Sequence, residues 1–575
     1  MNIFLDYQKK FLNCLNELNK NKIIECPDTI KNISVELPPK GHSADISCNA
    51  AMILAKYNNT SAQKLGFIIK ENFIKNFKEI EKIEVAKQGF INISFNIIFW
   101  KKYLLNIVKS KSNYGSNKEK SHKYNLEFVS ANPTGPLHVG HCRGAILGDV
   151  LSNLLIFNGN SVTKEYYVND YGSQIKDFVD SVYYRIIEII DKKKFPNKVN
   201  LYPGDYIINI AKEIIKKKKI KDFSVLSKIH EKLTFESLKV SMKIIKDNLK
   251  LLGVEHDSFV YESELVKKKL VTKTIKKLEK DNFVYKGKLK APKGESSVDW
   301  KSRSLLLFNS SSFGDDTDRP LQKEDGTWTY FASDVAYHDY KLNRKFDILI
   351  NILGADHIGY IKRIVAATRA LSKNKTNIIC KVSQLVKLFK KGKPFKMSKR
   401  KGDYITVDDL INEVGKDSVR FMMLNRSNDV ELDFDFEKVT EKSKDNPVFY
   451  VQYAFARINS IFNSIKLDID NDIKISDKNF TLNHHEIQIL KKISEWPKCV
   501  EISLSKLEAH RLPFYLYELA TLFHAYWSMG NEDKKLRFVV DNEVVSHSRL
   551  LLLQALAIVI KNGMSILGVS TPKRM

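Results

Sequence analysis

The 575-residue chain contains few cysteines, and none of them lies in a pattern typical of a metal or disulfide site. Its six cysteines are scattered, with no Cys-x-x-Cys pair among them. Zinc sites and disulfide scaffolds are built from paired cysteines, so the sequence argues against both, and we predict no metal site formed by the protein. Scattered thiols are typical of a reducing compartment, which favours a cytoplasmic location.

The sequence also lacks the patterns of secreted and membrane proteins. Its N-terminus has no charged segment followed by an apolar one, and no apolar run approaches the roughly 18 residues of a predicted membrane span. We therefore expect no membrane partner. The Asp-x-Asp-x-Asp pattern at 468–472 lacks the glycine and the glutamate of a calcium loop, so calcium is excluded there too.

Acidic residues are the minority charge, since 67 Asp and Glu face 94 Lys and Arg and the formal net charge is +27. Such an excess is expected for a partner with many phosphates, although heavy use of lysine throughout the chain could also produce it. The composition, 43% hydrophobic and 28% charged, is ordinary for a globular protein. We expect several domains, because single cores stop growing near about 250–300 residues.

Residues 130–144 carry the strongest sequence signal. A predicted strand, a Gly/Pro turn and an apolar helical pattern follow one another here. His138 and His141 flank Gly140 at the start of the predicted helix, where backbone N–H groups and the helix dipole favour a phosphate. The segment is not a Walker loop, because His141-Cys142 stands where that loop needs lysine and serine or threonine, and it is not a Gly-x-Gly-x-x-Gly fingerprint.

A second motif, Lys-Met-Ser-Lys-Arg at Lys396–Arg400, lies far downstream on a strongly cationic, glycine-flanked segment. A lysine pair there can neutralise a polyphosphate as pyrophosphate leaves. The run His138-Val139-Gly140-His141 and this motif resemble the two signatures of class I aminoacyl-tRNA synthetases, with Arg400 in place of the final serine. The resemblance implies an α/β fold with a Rossmann-like parallel sheet, an α+β N-terminal domain and an all-α C-terminal bundle.

Longer stretches resemble the arginyl-tRNA synthetase family over most of the chain. They are far more specific than the two short signatures. The stretches are Glu127–His138, Glu165–Gln174, Asp325–Asp334, Gly354–His357, Asn446–Ala454 and Leu567–Met575. A guanidinium keeps its charge and offers a planar fork of donors, so an arginine pocket needs carboxylates and amide oxygens. These stretches contain both.

The resemblance implies roles for individual residues. The residues implied to stabilise the phosphates of ATP during catalysis are His138, His141, Lys396 and Lys399. Other ATP contacts are implied for Pro133, Gly135, Gly140, Gly354, Asp356, His357, Met397 and Ser398. Arginine contacts are implied for Glu127 and Asn132 at the α-amino end, for Tyr330 and Asp334 at the guanidinium, and for Asp170 and Gln174. Contacts to tRNA are implied for Tyr453, Arg457 and Trp527, with Phe455 and Tyr526 as further aromatic candidates.

The resemblance also implies a two-step reaction. Arginine attacks ATP to give arginyl-adenylate and pyrophosphate, and the 3′ end of tRNA(Arg) then takes the arginyl group. We expect Mg²⁺ to accompany ATP through phosphate oxygens and water, with no dedicated protein site. We further expect that the first step requires bound tRNA and that the enzyme is a monomer.

Four domains are predicted along the chain. Residues 1–115 are expected to form an N-terminal tRNA-binding domain, and 116–395 the catalytic domain, with a helical insertion at about 185–300. Residues 396–444 are expected to form the Lys-Met-Ser-Lys-Arg loop and a region that contacts the tRNA stem, and 445–575 the helical anticodon-binding domain. Apolar periodicity also predicts single helices over 44–57 and 484–504.

Three alternatives compete with this interpretation. Another class I synthetase is disfavoured, because metal-binding Cys/His spacing and a large editing insertion are absent. A protein that binds tRNA without activating an amino acid is disfavoured by its intact His138, His141, Lys396 and Lys399. A small-molecule nucleotidyltransferase with the same histidine signature would need neither the long helical C-terminal run nor the charge excess.

Overall fold

The computed structural model describes residues 2–39, 42–118, 121–288, 304–395, 405–471, 473 and 480–575. The chain divides into two compact units, one formed by Met1–Asn117 with Lys442–Met575 and the other by Lys118–Glu441. The segment Lys396–Arg400 lies outside the described residues, so the roles of Lys396, Met397, Ser398 and Lys399 stay predictions.

The N-terminal part of the first unit packs helices on a small antiparallel sheet of order β1-β2-β4-β3. Its helices are α1 Ile3–Lys20, α2 Ala50–Leu54, α3 Ala62–Ile74 and α4 Ile97–Ser110, and its strands are β1 Val35–Glu36, β2 Ile46–Cys48, β3 Ile80–Val85 and β4 Ile91–Phe95. Stacked Phe11 and Phe73 rings, 4.1 Å apart, lie in its core. The predicted single helix over 44–57 is wrong, because residues 46–48 form the buried strand β2, and the alternation of apolar and polar residues from Ala44 to Ala50 has the period of a strand rather than of a helix.

The second unit is built on a five-stranded parallel sheet of order β12-β11-β5-β6-β7, which confirms the predicted fold class. The strands of this unit are β5 Lys123–Glu127, β6 Ser161–Val168, β7 Ser258–Tyr261, β8 Val284–Lys288, β9 Ser304–Phe308, β10 Arg319–Pro320, β11 Ile348–Gly354, β12 Asn377–Ser383, β13 Val386–Lys390, β14 Lys393–Phe395 and β15 Leu432–Asp435. Its helices are α5 Val139–Phe157, α6 Ser173–Asp191, α7 Asp205–Lys217, α8 Leu226–Leu251, α9 Glu262–Lys267, α10 Leu270–Lys280, α11 Tyr330–Asn343, α12 Ile361–Ser372, α13 Val407–Val414 and α14 Lys416–Met422.

Two smaller three-stranded sheets, β10-β9-β8 and β14-β13-β15, complete this unit. The predicted helical insertion over about 185–300 differs from the structure. Helices α7 and α8 pack with α6 around a core that includes Phe178, Ile210 and Leu233, but the chain then returns to the main sheet, where β7 pairs with β6 in parallel. This edge strand has four residues and lies between lysine-rich helices, so its sequence signal is short.

The C-terminal part of the first unit is a helical bundle with one short hairpin. Its elements are α15 Pro447–Ser464, α16 His484–Ser494, α17 Trp496–Lys506, α18 Arg511–Glu532, β16 Val539–Val540, β17 Glu543–Val544 and α19 His547–Leu567. The predicted helix over 484–504 is two helices, because the chain restarts at Trp496 with Pro497 in the first turn. Helix α19 is long and apolar enough to cross a membrane, but most of it is buried, as in a core helix of a bundle.

Within the first unit, the N-terminal part and the bundle are joined by polar contacts. The Trp496 indole N–H donates to the carbonyl of Tyr114 at 3.0 Å, and the Tyr114 hydroxyl lies 3.1 Å from that of Tyr103. Lys491 forms an ion pair with Asp45 at 2.6 Å. The N-terminal residues and the C-terminal helices therefore form one packed body.

The packing of α5 on the parallel sheet generates a stability prediction. A Cβ at Gly148 would lie 2.2 Å from the ring Cγ of Phe128, whereas one at Gly144 would meet only Ser383 at 3.8 Å. Alanine favours a helix over glycine by about 1 kcal/mol, but overpacking costs about 1–3 kcal/mol. We expect Gly148→Ala to melt at a lower temperature than Gly144→Ala in differential scanning calorimetry. Equal melting temperatures would contradict this packing.

Candidate active site

A row of polar residues crosses the carboxyl end of the parallel sheet. Asn351 of β11 is in register with Glu127 of β5, which is in register with Glu165 of β6. Helix α11 covers these residues and places Lys341 against them. The Lys341 ammonium is fully buried, and it donates to Glu127 at 2.5 Å and to the Asn351 amide oxygen at 3.0 Å.

The carboxylate of Glu165 forms an ion pair with a second cation, Arg344. Arg344, the residue that follows α11, donates to both carboxylate oxygens of Glu165, at 2.5 and 2.8 Å, and the Tyr337 hydroxyl donates at 2.7 Å. Burial acts to raise the pKa of Glu165, but the hydrogen bonds from Arg344 hold it below its usual value. Lys341 and Arg344 are thereby both paired with carboxylates of the sheet.

The backbone after β5 is strained. Val129 and Ser130 have φ of 69° and 40°, in the left-handed region that a β-branched residue rarely adopts. The Ser130 hydroxyl donates to Glu127 at 3.1 Å and accepts the N–H of Tyr167 at 3.1 Å. These bonds hold the turn that leads from the sheet into the predicted phosphate-binding segment.

Three more carboxylates, those of Asp170, Glu262 and Asp334, lie with Glu127 around the side chain of Tyr167. Among the described residues, no lysine or arginine forms an ion pair with Asp170, Glu262 or Asp334. Burial, with the charges of Glu262 and Glu127, raises the pKa of Asp334 to about 8. Burial and the charge of Asp170 also raise the pKa of Glu262. The cluster is therefore short of positive charge.

Sequence reasoning missed Glu262. This buried residue begins α9 directly after β7, at the carboxyl end of a parallel strand, where ligands bind in open α/β sheets. The available signal was Glu262-Ser263-Glu264 after a short apolar run, but the strand itself was not predicted. Asp170 accepts the Ser263 N–H at 2.8 Å and its hydroxyl at 2.6 Å, which fixes the start of α9.

The structure brings the remaining predicted arginine contacts to the same edge. The Asn132 amide donates to the Gln174 amide oxygen at 2.7 Å. Tyr330 is 58% exposed at the first turn of α11, and a Cβ at Gly172 would lie 3.7 Å from its hydroxyl. Asp334, one turn further along the helix, accepts a hydrogen bond from Tyr360.

His138 and His141 form a capping box at the start of α5. The His138 Nδ1 accepts the Gly140 N–H at 3.1 Å, and the His141 Nδ1 accepts the His138 N–H at 3.2 Å. The two rings lie 4.0 Å apart. In a neutral imidazole whose Nδ1 accepts, the hydrogen is on Nε2, so both rings are set to donate through Nε2.

The predicted ATP contacts lie on two segments. Pro133, Gly135 and Gly140 belong to the turn and helix start, and only Gly140 is exposed. At the end of β11, Gly354, Asp356 and His357 are all exposed, with the His357 ring 3.4 Å from the Asp356 carboxylate. A Cβ at Gly354 would lie 2.5 Å from that carboxylate, which is exposed and would have to turn away.

The three predicted tRNA contacts meet in the helical bundle of the first unit. Arg457 lies 4.2 Å from the Tyr453 ring centre and 5.0 Å from that of Trp527, and it donates to the Tyr453 hydroxyl at 3.0 Å. Trp527 also lines a cleft of about 640 Å³. The other two aromatic candidates, Phe455 and Tyr526, are buried in the core of the bundle, so they have no surface for RNA.

Three family models match the chain. The "Arginyl tRNA synthetase N terminal domain" matches residues 6–95, "tRNA synthetases class I (R), catalytic domain" matches 103–463, and "DALR anticodon binding domain" matches 451–575. The arginine–tRNA ligase of Pelagibacter ubique (strain HTCC1062) is 55% identical, with 100% of both chains covered. The arginine–tRNA ligase of Wolbachia pipientis wMel is 42% identical over the same shares.

Solved structures agree with these matches. An arginyl-tRNA synthetase structure from Campylobacter jejuni superposes with a TM-score of 0.73 at 30% identity, covering 84% of this chain and 100% of that one. The Thermus thermophilus arginyl-tRNA synthetase, at 17% identity and a TM-score of 0.73 with 100% of both chains covered, shares the fold. The family models, the similar proteins and the parallel sheet all agree. The chain therefore belongs to the arginyl-tRNA synthetase family of class I aminoacyl-tRNA synthetases.

Proposed function

We propose that this arginine–tRNA ligase uses its unpaired carboxylate cluster to bind the guanidinium of arginine. Asp334 and Glu262 accept the guanidinium hydrogen bonds, and the Tyr330 hydroxyl lies beside them. The single observation that carries the proposal is that Asp334, Glu262 and Asp170 lie together and form no ion pair with a described lysine or arginine, because a carboxylate short of cations gains most from a permanently charged ligand. Asp170 positions Glu262 through Ser263.

The α-amino end of arginine lies toward Glu127, Asn132 and Gln174. Because Glu127 is already paired with Lys341, its carboxylate oxygens act as hydrogen-bond acceptors rather than as a net charge, while the two amides supply further directed hydrogen bonds. The substrate carboxylate then faces the start of α5. There it attacks the α-phosphate of ATP, pyrophosphate leaves, and no covalent enzyme intermediate forms.

ATP binds across the histidine turn and the end of β11. His138 and His141 donate from Nε2 to phosphate oxygens, Lys396 and Lys399 neutralise the leaving pyrophosphate, and Met397 and Ser398 belong to the same loop. Gly354 and Asp356 hold the ribose, with His357 beside them. Pro133, Gly135 and Gly140 leave room for the nucleotide close to the backbone.

Mg²⁺ accompanies ATP in this proposal. The described part of the chain contains no group of three His, Cys, Asp or Glu side chains arranged to hold a metal. The ion is therefore expected to bind through phosphate oxygens and water, and it supplies charge neutralisation there.

The bundle supplies the tRNA contacts. Tyr453, Arg457 and Trp527 offer stacked rings and a guanidinium for unpaired anticodon bases, and the N-terminal residues contact the body of tRNA(Arg). We place the enzyme in the cytoplasm as a monomer that does not bind membranes. The domain limits near 115, 395 and 444 and the tRNA requirement of the first step are parts of the same proposal.

ATP–pyrophosphate exchange with each standard amino acid, with and without tRNA, tests the reaction. We expect exchange with arginine alone, and only when tRNA is present. His141→Ala should reduce this exchange at least about 100-fold, because one preorganised donor to developing charge is worth that much. Exchange with a different amino acid would contradict the pocket, and exchange without tRNA would contradict the tRNA requirement.

Arginine affinity should depend on pH through Asp334. With a pKa of about 8, this carboxyl group is mostly protonated at pH 7 and must lose its proton to accept the guanidinium. Affinity is therefore expected to rise about tenfold per pH unit below 8 and to level off above it. Isothermal titration calorimetry from about pH 6.5 to 9 measures this rise.

Two variants complete that experiment. Asp334→Asn should bind arginine weakly and without the pH dependence. The control, Glu264→Gln, removes an exposed carboxylate from the same short helix as Glu262 and should keep the wild-type profile. A wild-type affinity that does not change with pH would rule out this role for Asp334.

A further inference from the structure

We propose that Arg143 is a positioning residue, which fixes the start of α5 and its two signature histidines to Gln384 and to residues 426–430, at the base of the strands that lead to residue 396. Arg143 lies in the first turn of α5, five positions after His138. The inference rests on the proposed roles of the histidines and of Lys399. Arg143 affects the reaction only through the positions of the groups that it holds.

Arg143 is 1% exposed, and its guanidinium is bonded to backbone carbonyls. One terminal nitrogen donates to Val430 at 2.6 Å and to Gln384 at 3.1 Å, and the other donates to Ser427 at 2.7 Å and to Arg426 at 3.3 Å. A planar fork with several donors can hold carbonyls from two chain segments at once, which the compact ammonium of lysine cannot do.

Those two segments are the base of the β14-β13-β15 sheet. Gln384 N–H donates to the Asn428 carbonyl at 2.9 Å, and Leu432 N–H donates to the Leu385 carbonyl at 3.0 Å. Strand β13 follows at once and pairs with β14, which ends at Phe395. Arg143 therefore attaches the start of α5 to the strands that lead directly into residue 396.

The residues that follow 404 are also attached to the start of α5. His138 forms a β-bridge with Thr406. On either side of it, the Val139 N–H donates to the Ile405 carbonyl and the Val407 N–H to the Leu137 carbonyl, both at 3.1 Å. The described chain thus ends strand β14 at Phe395 and resumes at Ile405, next to the backbone of His138.

The side-chain amide of Asn248, in α8, stabilises this second attachment. Its amide oxygen accepts the Leu137 N–H at 3.0 Å, and its amide nitrogen donates to Asp408 at 2.6 Å. Through Arg143 and β13 on one side and Asn248 on the other, the described residues before 396 and after 404 are both tied to the start of α5. A misplacement of about 1 Å at such points can cost about 100-fold in rate.

The test compares Arg143→Lys with Arg420→Lys. Arg420 serves as the control, because it is also fully buried in this unit and donates to the carbonyls of Leu252 and Gly253 and to the Asp149 carboxylate further along α5, none of which belongs to the segments bound by Arg143. We expect both variants to melt at lower temperature. Only Arg143→Lys should lower kcat of ATP–pyrophosphate exchange, by about 10- to 100-fold, with KM for arginine unchanged within about twofold.

Asn248→Ala provides a second arm in case Arg143→Lys does not fold. It should show the same pattern, a lower kcat with unchanged KM for arginine. Normal kcat in the folded fraction of either variant, or an equal loss of kcat in Arg420→Lys, would overturn the positioning role. Lys399→Ala, measured in parallel, separates the two proposals: wild-type exchange in that variant would overturn the proposed role of the loop lysine, whatever Arg143 does.

Discussion

The buried ion pair between Glu127 and Lys341 is the interaction on which the active site depends. Lys341 is fully buried and Glu127 is 8% exposed, so neither charge has bulk water to stabilise it. Removing one partner of such a pair typically costs about 3–5 kcal/mol, because the other charge stays behind unpaired. The pair joins the last residue of β5 to α11, and so it connects the strand before the histidine turn to the helix that carries Tyr330 and Asp334.

This pairing explains why the pocket is acidic. Two cations at the C-terminal end of α11, the buried Lys341 and the half-buried Arg344 just after the helix, are bound to Glu127 and Glu165. Asp334, Glu262 and Asp170 then share one edge of the sheet, and burial and mutual repulsion raise the pKa of the first two. A ligand that brings a permanent positive charge relieves both effects, whereas a neutral analogue leaves the carboxylates unpaired. In the proposed function, this charge deficit is what selects a guanidinium.

Much of this site can be predicted from the sequence, because its parts are local. His138 and His141 are three residues apart at a helix start, and Tyr330 and Asp334 are four apart on one helix, so periodicity alone brings each pair together. Glu262 could not be found in this way, since it follows a four-residue edge strand whose partner lies some ninety residues away. The pairing of Lys341 with Glu127, 214 positions apart, depends on how α11 packs across the sheet. The carbonyls bound by Arg143 are backbone atoms, which leave no residue signature in a sequence.

The most direct test of this account is a calorimetric comparison of arginine with citrulline, in which a neutral urea group of nearly the same shape replaces the guanidinium. The charge-deficient cluster predicts that citrulline binds at least about 100-fold more weakly, since a buried site built for a charged partner rejects the analogue that lacks it. It also predicts that arginine binding at neutral pH releases a proton and that citrulline binding releases none. Equal affinities for the two ligands would show that shape and neutral hydrogen bonds, rather than the carboxylates of Asp334 and Glu262, select the substrate.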